Sequence, residues 1–393
     1  MGNTSSTPVR LHSLDGLRGV AALVVLVSHI ALTLPTFAAA IYNSDVRLEA
    51  GTWGWLATYT PLHLLWAGHE AVFVFFVLSG LVLTIPVIRR GGYSWREYYP
   101  KRLVRIYAPV AVAVLFGILM VLLVPRNDST GMGEWLQDRP TNVSVSGVVK
   151  DLILVTGPSR LISPLWSLQW EMLFSLLLPA YVLFVSTRRG TVWVKAALIL
   201  LTLSAGVLLD NQSLAYMPMF AAGSLMATKL DDLRDACTRM NTAHWWLVGG
   251  IASVLATARW TLPLVVPGDF AANISTIPAF IGCVLIVGIA AFCPDIQGFL
   301  RSRVVQWLGQ ISFSLYLTHE PIVIASAFFL GPKNALMVPI VAIPIAFAVA
   351  WAFFHLIEAR SHTLSKKVGR IFRGKTPNHR SAHSGRVSLN RDH

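Results

Sequence analysis

A histidine and an arginine share a stretch of this chain that is otherwise almost wholly apolar. Ser13 to Leu34 reads SLDGLRGVAALVVLVSHIALTL, with Asp15 and Arg18 at its mouth and His29 inside. In a helix the 11-residue separation of Arg18 and His29 is about three turns plus roughly 20°, so both side chains leave on one face, roughly 16 Å apart along the axis. An imidazole is the ordinary proton acceptor near neutral pH, and a guanidinium grips phosphate or carboxylate. A histidine kept inside a membrane helix points to a lined cavity or a reaction path. The competing reading is a packing histidine bonded to a neighbouring carbonyl.

Further polar groups recur in apolar segments. In SPLWSLQWEMLFSLLLPA, Pro164 suits a helix start, and Ser167, Glu171 and Ser175 follow at i, i+4 and i+8, a polar stripe on one face. A carboxylate among Leu, Trp and Phe must be paired, protonated or facing water, so Glu171 is a candidate site residue. In GQISFSLYLTHEPI, Ser312, Tyr316 and His319 share a face, and His319 lies about as deep in its helix as His29 does in its own. Ser79 and Gly80 sit inside AGHEAVFVFFVLSGLVL; the glycine reads as a close-packing residue. RRGGYSWREYYPKRLVRIYAP sets Lys101, Arg102 and Arg105 at spacings of three and four, a basic patch on an entering helix. That patch suits a phosphate-bearing cofactor or is plain topology signal. His355 and Glu358 stand a turn apart and read as an anchor. His63, His69 and Glu70 have no metal-ligand spacing, and no metal is expected.

These residues need helices in a bilayer to hold them. The chain has 393 residues, 54% of them hydrophobic and 13% charged, and a mean hydropathy of +0.60. Soluble domains carry about twice that charge, so the fold expected is an all-α polytopic membrane protein. The net charge of +13 is a topology signal, not a nucleic-acid signature. Cys237, Cys283 and Cys293 offer neither a disulfide framework nor a metal motif. The first apolar run is expected to remain as a signal anchor.

Apolar windows give about ten spans, near 14–34, 70–88, 106–124, 165–186, 192–209, 213–228, 243–262, 273–292, 311–330 and 336–357. With both termini cytoplasmic, 25 of the 32 Lys and Arg fall inside and seven outside, as the positive-inside rule asks. Residues 1–12 then form a cytoplasmic N-terminal segment, 13–360 the membrane domain, and 361–393 a basic tail expected to be disordered beyond about residue 372 and to lie on anionic lipid. Neither an internal repeat nor a soluble domain is visible.

LDGLRGVAALVVLVSHI, FFVLSG, KRLVRIYAP, LWSLQWEMLF and ISFSLYLTHEP follow one another in this order, and over residues 11 to 360 the chain resembles the membrane-bound acyltransferase-3 family. These are O-acyltransferases that modify bacterial surface glycans, peptidoglycan, Nod factors and some macrolides. The resemblance implies His29 as catalytic histidine with Arg18 as its partner, and donor-side cations at Lys101, Arg102 and Arg105. It also implies a buried acid at Glu171 and a Ser312, Tyr316, His319 stretch. Relatives often end the last helix in Glu, a basic residue and proline, whereas here Glu358 precedes Ala359 and Arg360. No esterase-like domain follows, so the membrane domain is expected to act alone or with a separate partner.

The reaction so implied moves an acyl group, acetyl above all, from acyl-CoA to a hydroxyl of a glycan or other hydroxylated acceptor at the cell membrane. Acyl-CoA is a co-substrate, and no permanently bound cofactor is expected. The expected partners are the donor, the acceptor and the lipid bilayer; nucleic acid is not among them. His29 is the expected general base, with an acyl-histidine route also open. Glu171 or His319 would orient it or bind the acceptor, and Ser79 or Tyr316 would donate to the oxyanion. The alternative is a transporter that uses intramembrane His, Glu and Arg as a substrate or proton path. The sequence names neither the acceptor nor the oligomeric state.

Overall fold

The computed structural model describes residues 11–43, 46–89, 93–126, 129–155, 157–187, 191–266 and 273–372, and among them every regular element is a helix. In chain order these are α1 (His12–Ala31), α2 (Pro35–Tyr42), α3 (Trp53–Tyr59), α4 (Gly68–Arg89), α5 (Trp95–Leu123), α6 (Glu134–Gln137), α7 (Val145–Ile153) and α8 (Leu165–Ser186). There follow α9 (Val192–Leu208), α10 (Gln212–Thr228), α11 (Leu230–Cys237), α12 (Thr242–Ala256), α13 (Ala258–Val265), α14 (Thr276–Phe292) and α15 (Pro294–Leu300). The last are α16 (Arg303–Leu330), α17 (Val338–Phe353) and α18 (Ala359–Phe372). A short 3-10 helix, Pro61–Leu65, leads into α4, and a π turn, Phe354–Glu358, joins α17 to α18.

All ten apolar windows fall on helices. Six helical stretches among the described residues are long and apolar enough to cross a membrane: α1, α4, α5, α8, α16 and the run from Pro332 to Phe372. The pairs α12–α13 and α14–α15 bend by 70° and 84°, and counting each as one span gives eight. The fifth and sixth windows coincide with α9 and α10, 17 residues each. The chain is a multi-pass membrane protein, and large apolar side chains such as Leu122, Leu201 and Trp246 stand exposed on its outside, as a lipid-facing surface requires.

Two helix pairs are set by glycines. A Cβ on Gly19 would come within 2.4 Å of Gly309 N, and one on Gly309 within 2.3 Å of Asp15 O, so α1 and α16 touch backbone to backbone. The same holds for α4 and α10, where a Cβ on Gly80 would meet Phe220 O at 2.1 Å and one on Gly223 would meet Val77 O at 2.0 Å. The packing role expected for Gly80 is the one it has.

The basic tail starts as helix. Residues 361–372 belong to α18, because Ser361, Ser365 and Gly369 recur every fourth residue and bury one small-residue face against α5. A Cβ on Gly369 would already sit 3.1 Å from Glu97 Cγ. The remainder of that tail, 373–393, and residues 1–10 of the N-terminal segment lie outside the described residues.

Candidate active site

His29 and His319 meet. Each stands ten residues beyond a glycine of the α1–α16 contact, Gly19 and Gly309, on helices that run in the same direction. At about 1.5 Å per residue both rings reach roughly 15 Å past the crossing. His29 Nδ1 lies 2.7 Å from His319 Nε2, with the rings stacked at 4.9 Å. His319 is fully buried, and its Nδ1 is 2.8 Å from Leu315 O, a group that only accepts. His319 therefore carries its proton on Nδ1 and, when neutral, accepts on Nε2. His29 must then donate from Nδ1, which leaves its Nε2 as a free lone pair. One imidazole fixes the tautomer of the other, as the third member of a hydrolase triad does.

Two cavities lie near this pair, and His29 lines the smaller of them. The larger, about 880 Å³, opens among Arg18, Arg102, Arg105 and Arg303 and runs past Ser79, Glu171 and Ser312 to Tyr316. The smaller, about 230 Å³, is lined by His29 itself, Trp66, His69, Trp166 and again Tyr316. Tyr316 lines both, and Phe75 packs edge-on against it at 5.6 Å.

The stripe on α8 is used in full. Glu171 Oε1 accepts from Arg102 Nη2 at 2.5 Å, and Arg102 Nε donates to Ser175 Oγ at 2.9 Å. Ser167 Oγ is 2.7 Å from the Tyr316 hydroxyl, and both oxygens lie within 3.2 Å of Pro164 O. Whichever hydroxyl donates to that carbonyl, the other donates to its neighbour, so both protons stay inside the protein. Ser79 makes no hydrogen bond among the described residues and lines the larger cavity, which leaves its hydroxyl available to a bound group. Ser312 bonds Gly309 O at 2.8 Å.

The expected cation cluster divides. Arg102 is neutralised by Glu171, and Lys101 is outside the cavity lining, 3.7 Å from Glu97. Arg18 keeps a loose pair with Asp15 at 3.7 Å. Arg105 and Arg303 line the cavity and make no salt bridge among the described residues. Glu358 also lines it, accepting from Ser314 Oγ at 2.6 Å, so it does more than anchor the last helix.

The acyltransferase domain model matches residues 11–355. The chain belongs to the acyltransferase-3 family. It is 30% identical over 343 residues, 79% of this chain and 78% of the relative, to the protein named acyltransferase MdmB of Streptomyces mycarofaciens. No solved structure matches it. An acyltransferase-3 protein transfers acyl groups other than aminoacyl groups, which calls for an acyl donor and a hydroxylated acceptor. The chain is thus a membrane acyltransferase with two cavities that share Tyr316 as a wall, the smaller lined by one histidine of a buried pair.

Several residues of this acyltransferase-3 site escaped the sequence reading. Glu320 is fully buried beside His319, 3.1 Å from Arg139 Nη1, and accepts from the Ser163 N–H at 2.5 Å and from the Ser163 hydroxyl. Arg139 in turn lies over Trp135 at 4.7 Å, and Trp135 stacks on His29 at 5.4 Å. The segment around α6 is thereby clamped over the histidines. The signal was present: Glu320 adjoins His319 in an apolar helix, where an acid needs a partner. Arg303 had been counted only as topology charge.

Proposed function

We propose that this chain is an O-acyltransferase of the cell membrane that takes an acetyl or other short acyl group from coenzyme A and passes it to a hydroxyl. The observation that carries the reading is that Tyr316 lines both cavities, with the His29–His319 pair beside it and His29 lining the smaller one. Ten spans with both termini cytoplasmic would put the Arg105 and Arg303 mouth on the cytoplasmic side, where acyl-CoA is made.

The CoA phosphates bind Arg105, Arg303 and Arg18, since guanidinium–phosphate bonds are the strong, forked kind. Arg102, held by Glu171, shapes the wall beside them. The pantetheine arm follows the larger cavity toward Tyr316; the roughly 16 Å between Arg18 and His29 along α1 suits its extended length. The acceptor approaches from the smaller cavity. His29 Nε2 takes the proton of the acceptor hydroxyl as its oxygen attacks the thioester carbon, while His319 keeps the ring oriented. Ser79, roughly 16 Å along α4 from the Gly68–Ser28 contact beside His29, meets the pantetheine arm in the larger cavity. Collapse of the tetrahedral intermediate breaks the C–S bond, and the imidazolium returns its proton to the departing CoA thiolate. The products are the ester and free CoA, with His29 neutral again.

The test is transfer itself. Membranes containing the protein, given radiolabelled acetyl-CoA, should release CoA and move label to a hydroxylated product. Membranes that consume no acetyl-CoA above those lacking the protein would remove the proposal.

A further inference from the structure

The smaller cavity contains two buried polar atoms that the protein does not satisfy. Glu70 is 3% exposed and His63 is 2% exposed, both line this cavity, and neither Glu70 Oε1 nor His63 Nδ1 has a hydrogen-bond partner among the described residues. Unpaired buried groups of this kind are rare and costly, and each calls for an explanation such as a ligand. Their surroundings are flat and aromatic. Trp66 and Trp260 bracket His63 at ring distances of 4.5 and 4.6 Å, and Trp166 stacks on His69 at 5.5 Å. His29 opens into the same space. Burial, with the Arg259 charge adding to it, lowers the His63 pKa to about 3, so its ring is neutral and has one donor and one acceptor nitrogen.

We infer that Glu70 and His63 form a positioning subsite for the acceptor, and that it makes the enzyme select a saturated ring carrying a second hydroxyl beside the one that is acylated. This rests on the reading of the smaller cavity as the acceptor's way in. Glu70 Oε1 accepts a hydrogen bond from that second hydroxyl, and His63 Nδ1 exchanges another with the ring's polar rim. The indoles cover the ring's C–H face. At about 230 Å³ the cavity is smaller than the usual drug-sized pocket, so it takes one ring and not a chain of them. A simple alcohol would leave both polar atoms unpaired, and sites built around hydrogen bonds reject analogues that lack them far better than apolar pockets do.

The experiment uses the full chain in nanodiscs and two probes with six-membered rings, methyl glucoside and cyclohexanol. Binding is followed by tryptophan fluorescence, and CoA release from acetyl-CoA is measured on the same preparation. Methyl glucoside should bind about tenfold or more tightly than cyclohexanol, and Glu70→Leu, which removes the acceptor oxygen that Gln would keep, should erase that preference. Equal affinity for the two probes, no response to either, or a Glu70→Leu protein that binds methyl glucoside like the unaltered chain would overturn the inference. If Glu70→Leu does not fold, single-deoxy methyl glucosides on the unaltered chain replace it, and uniform affinity across that series overturns the inference equally. Probe binding without any CoA release would count against the transferase mechanism and leave the subsite standing; CoA release without a probe preference would do the reverse.

Discussion

The tautomer of His29 is set by a neighbour that is 290 residues away in sequence. The Leu315 carbonyl fixes the proton on His319, and His319 fixes the proton on His29, so the lone pair is left on Nε2 of a residue that lines the smaller cavity, and among the described residues no carboxylate bonds that imidazole. Residue by residue, the sequence announced those groups whose polarity conflicts with their surroundings. His29, Glu171 and His319 each stand in an apolar helix, and the i, i+4, i+8 stripe of α8 turned out to bond Tyr316 and Arg102 along its length. What it did not reveal was which cation would meet which acid. Lys101, Arg102 and Arg105 looked equivalent, yet one pairs with Glu97, one with Glu171, and Arg105 is left to the cavity with Arg303. Replacing both Arg105 and Arg303 with Gln is therefore expected to raise the KM for acetyl-CoA at least tenfold, since charged hydrogen bonds contribute about 1.5–3 kcal/mol each. Steady-state titration of the donor checks this, with Lys101→Gln as a comparator that stays near the unaltered value. A double variant with unchanged donor KM would leave those arginines as topology signal alone.

Among the elements, α1 and α16 matter most, because their glycine contact sets the depth at which two imidazoles meet. Helical periodicity predicted that His29 and His319 lie equally deep; it could not predict that their helices touch, because that depends on Gly19 and Gly309 lacking side chains at one crossing. The clamp from Glu320 to Arg139 was equally hidden, its partners being 181 residues apart and following no period. Gly309→Val should wedge the crossing, since even a Cβ there would lie 2.3 Å from Asp15 O. Overpacking of this kind costs about 1–3 kcal/mol, and a shift of about 1 Å at the reacting groups lowers turnover by about 10²-fold. Thermal unfolding and turnover measured together test this. Gly288→Ala is the control, as a Cβ at Gly288 meets nothing within 4 Å and should alter neither quantity. A folded Gly309→Val protein with full turnover would show that the crossing does not set the site.

For the molecule as a whole, composition made a membrane protein legible, and the ten windows all landed on helices. The count of spans was harder to read, because α12–α13 and α14–α15 break sharply and α9 and α10 are short, features that an apolar window cannot register. The two cavities were not legible at all, since they are spaces between helices far apart in sequence. They give the account its central claim: donor and acceptor come to His29 from opposite ends, with the donor at the arginine-lined mouth. The direct measurement uses sealed membrane vesicles of both orientations, with acetyl-CoA supplied only outside and CoA release recorded for the unaltered protein and His29→Ala. Release is predicted only from vesicles that expose the Arg105 and Arg303 face, and His29→Ala is predicted to lower it by about 10² to 10⁴. Equal release from both orientations, or a His29→Ala protein that keeps more than about a tenth of the rate, would contradict the account.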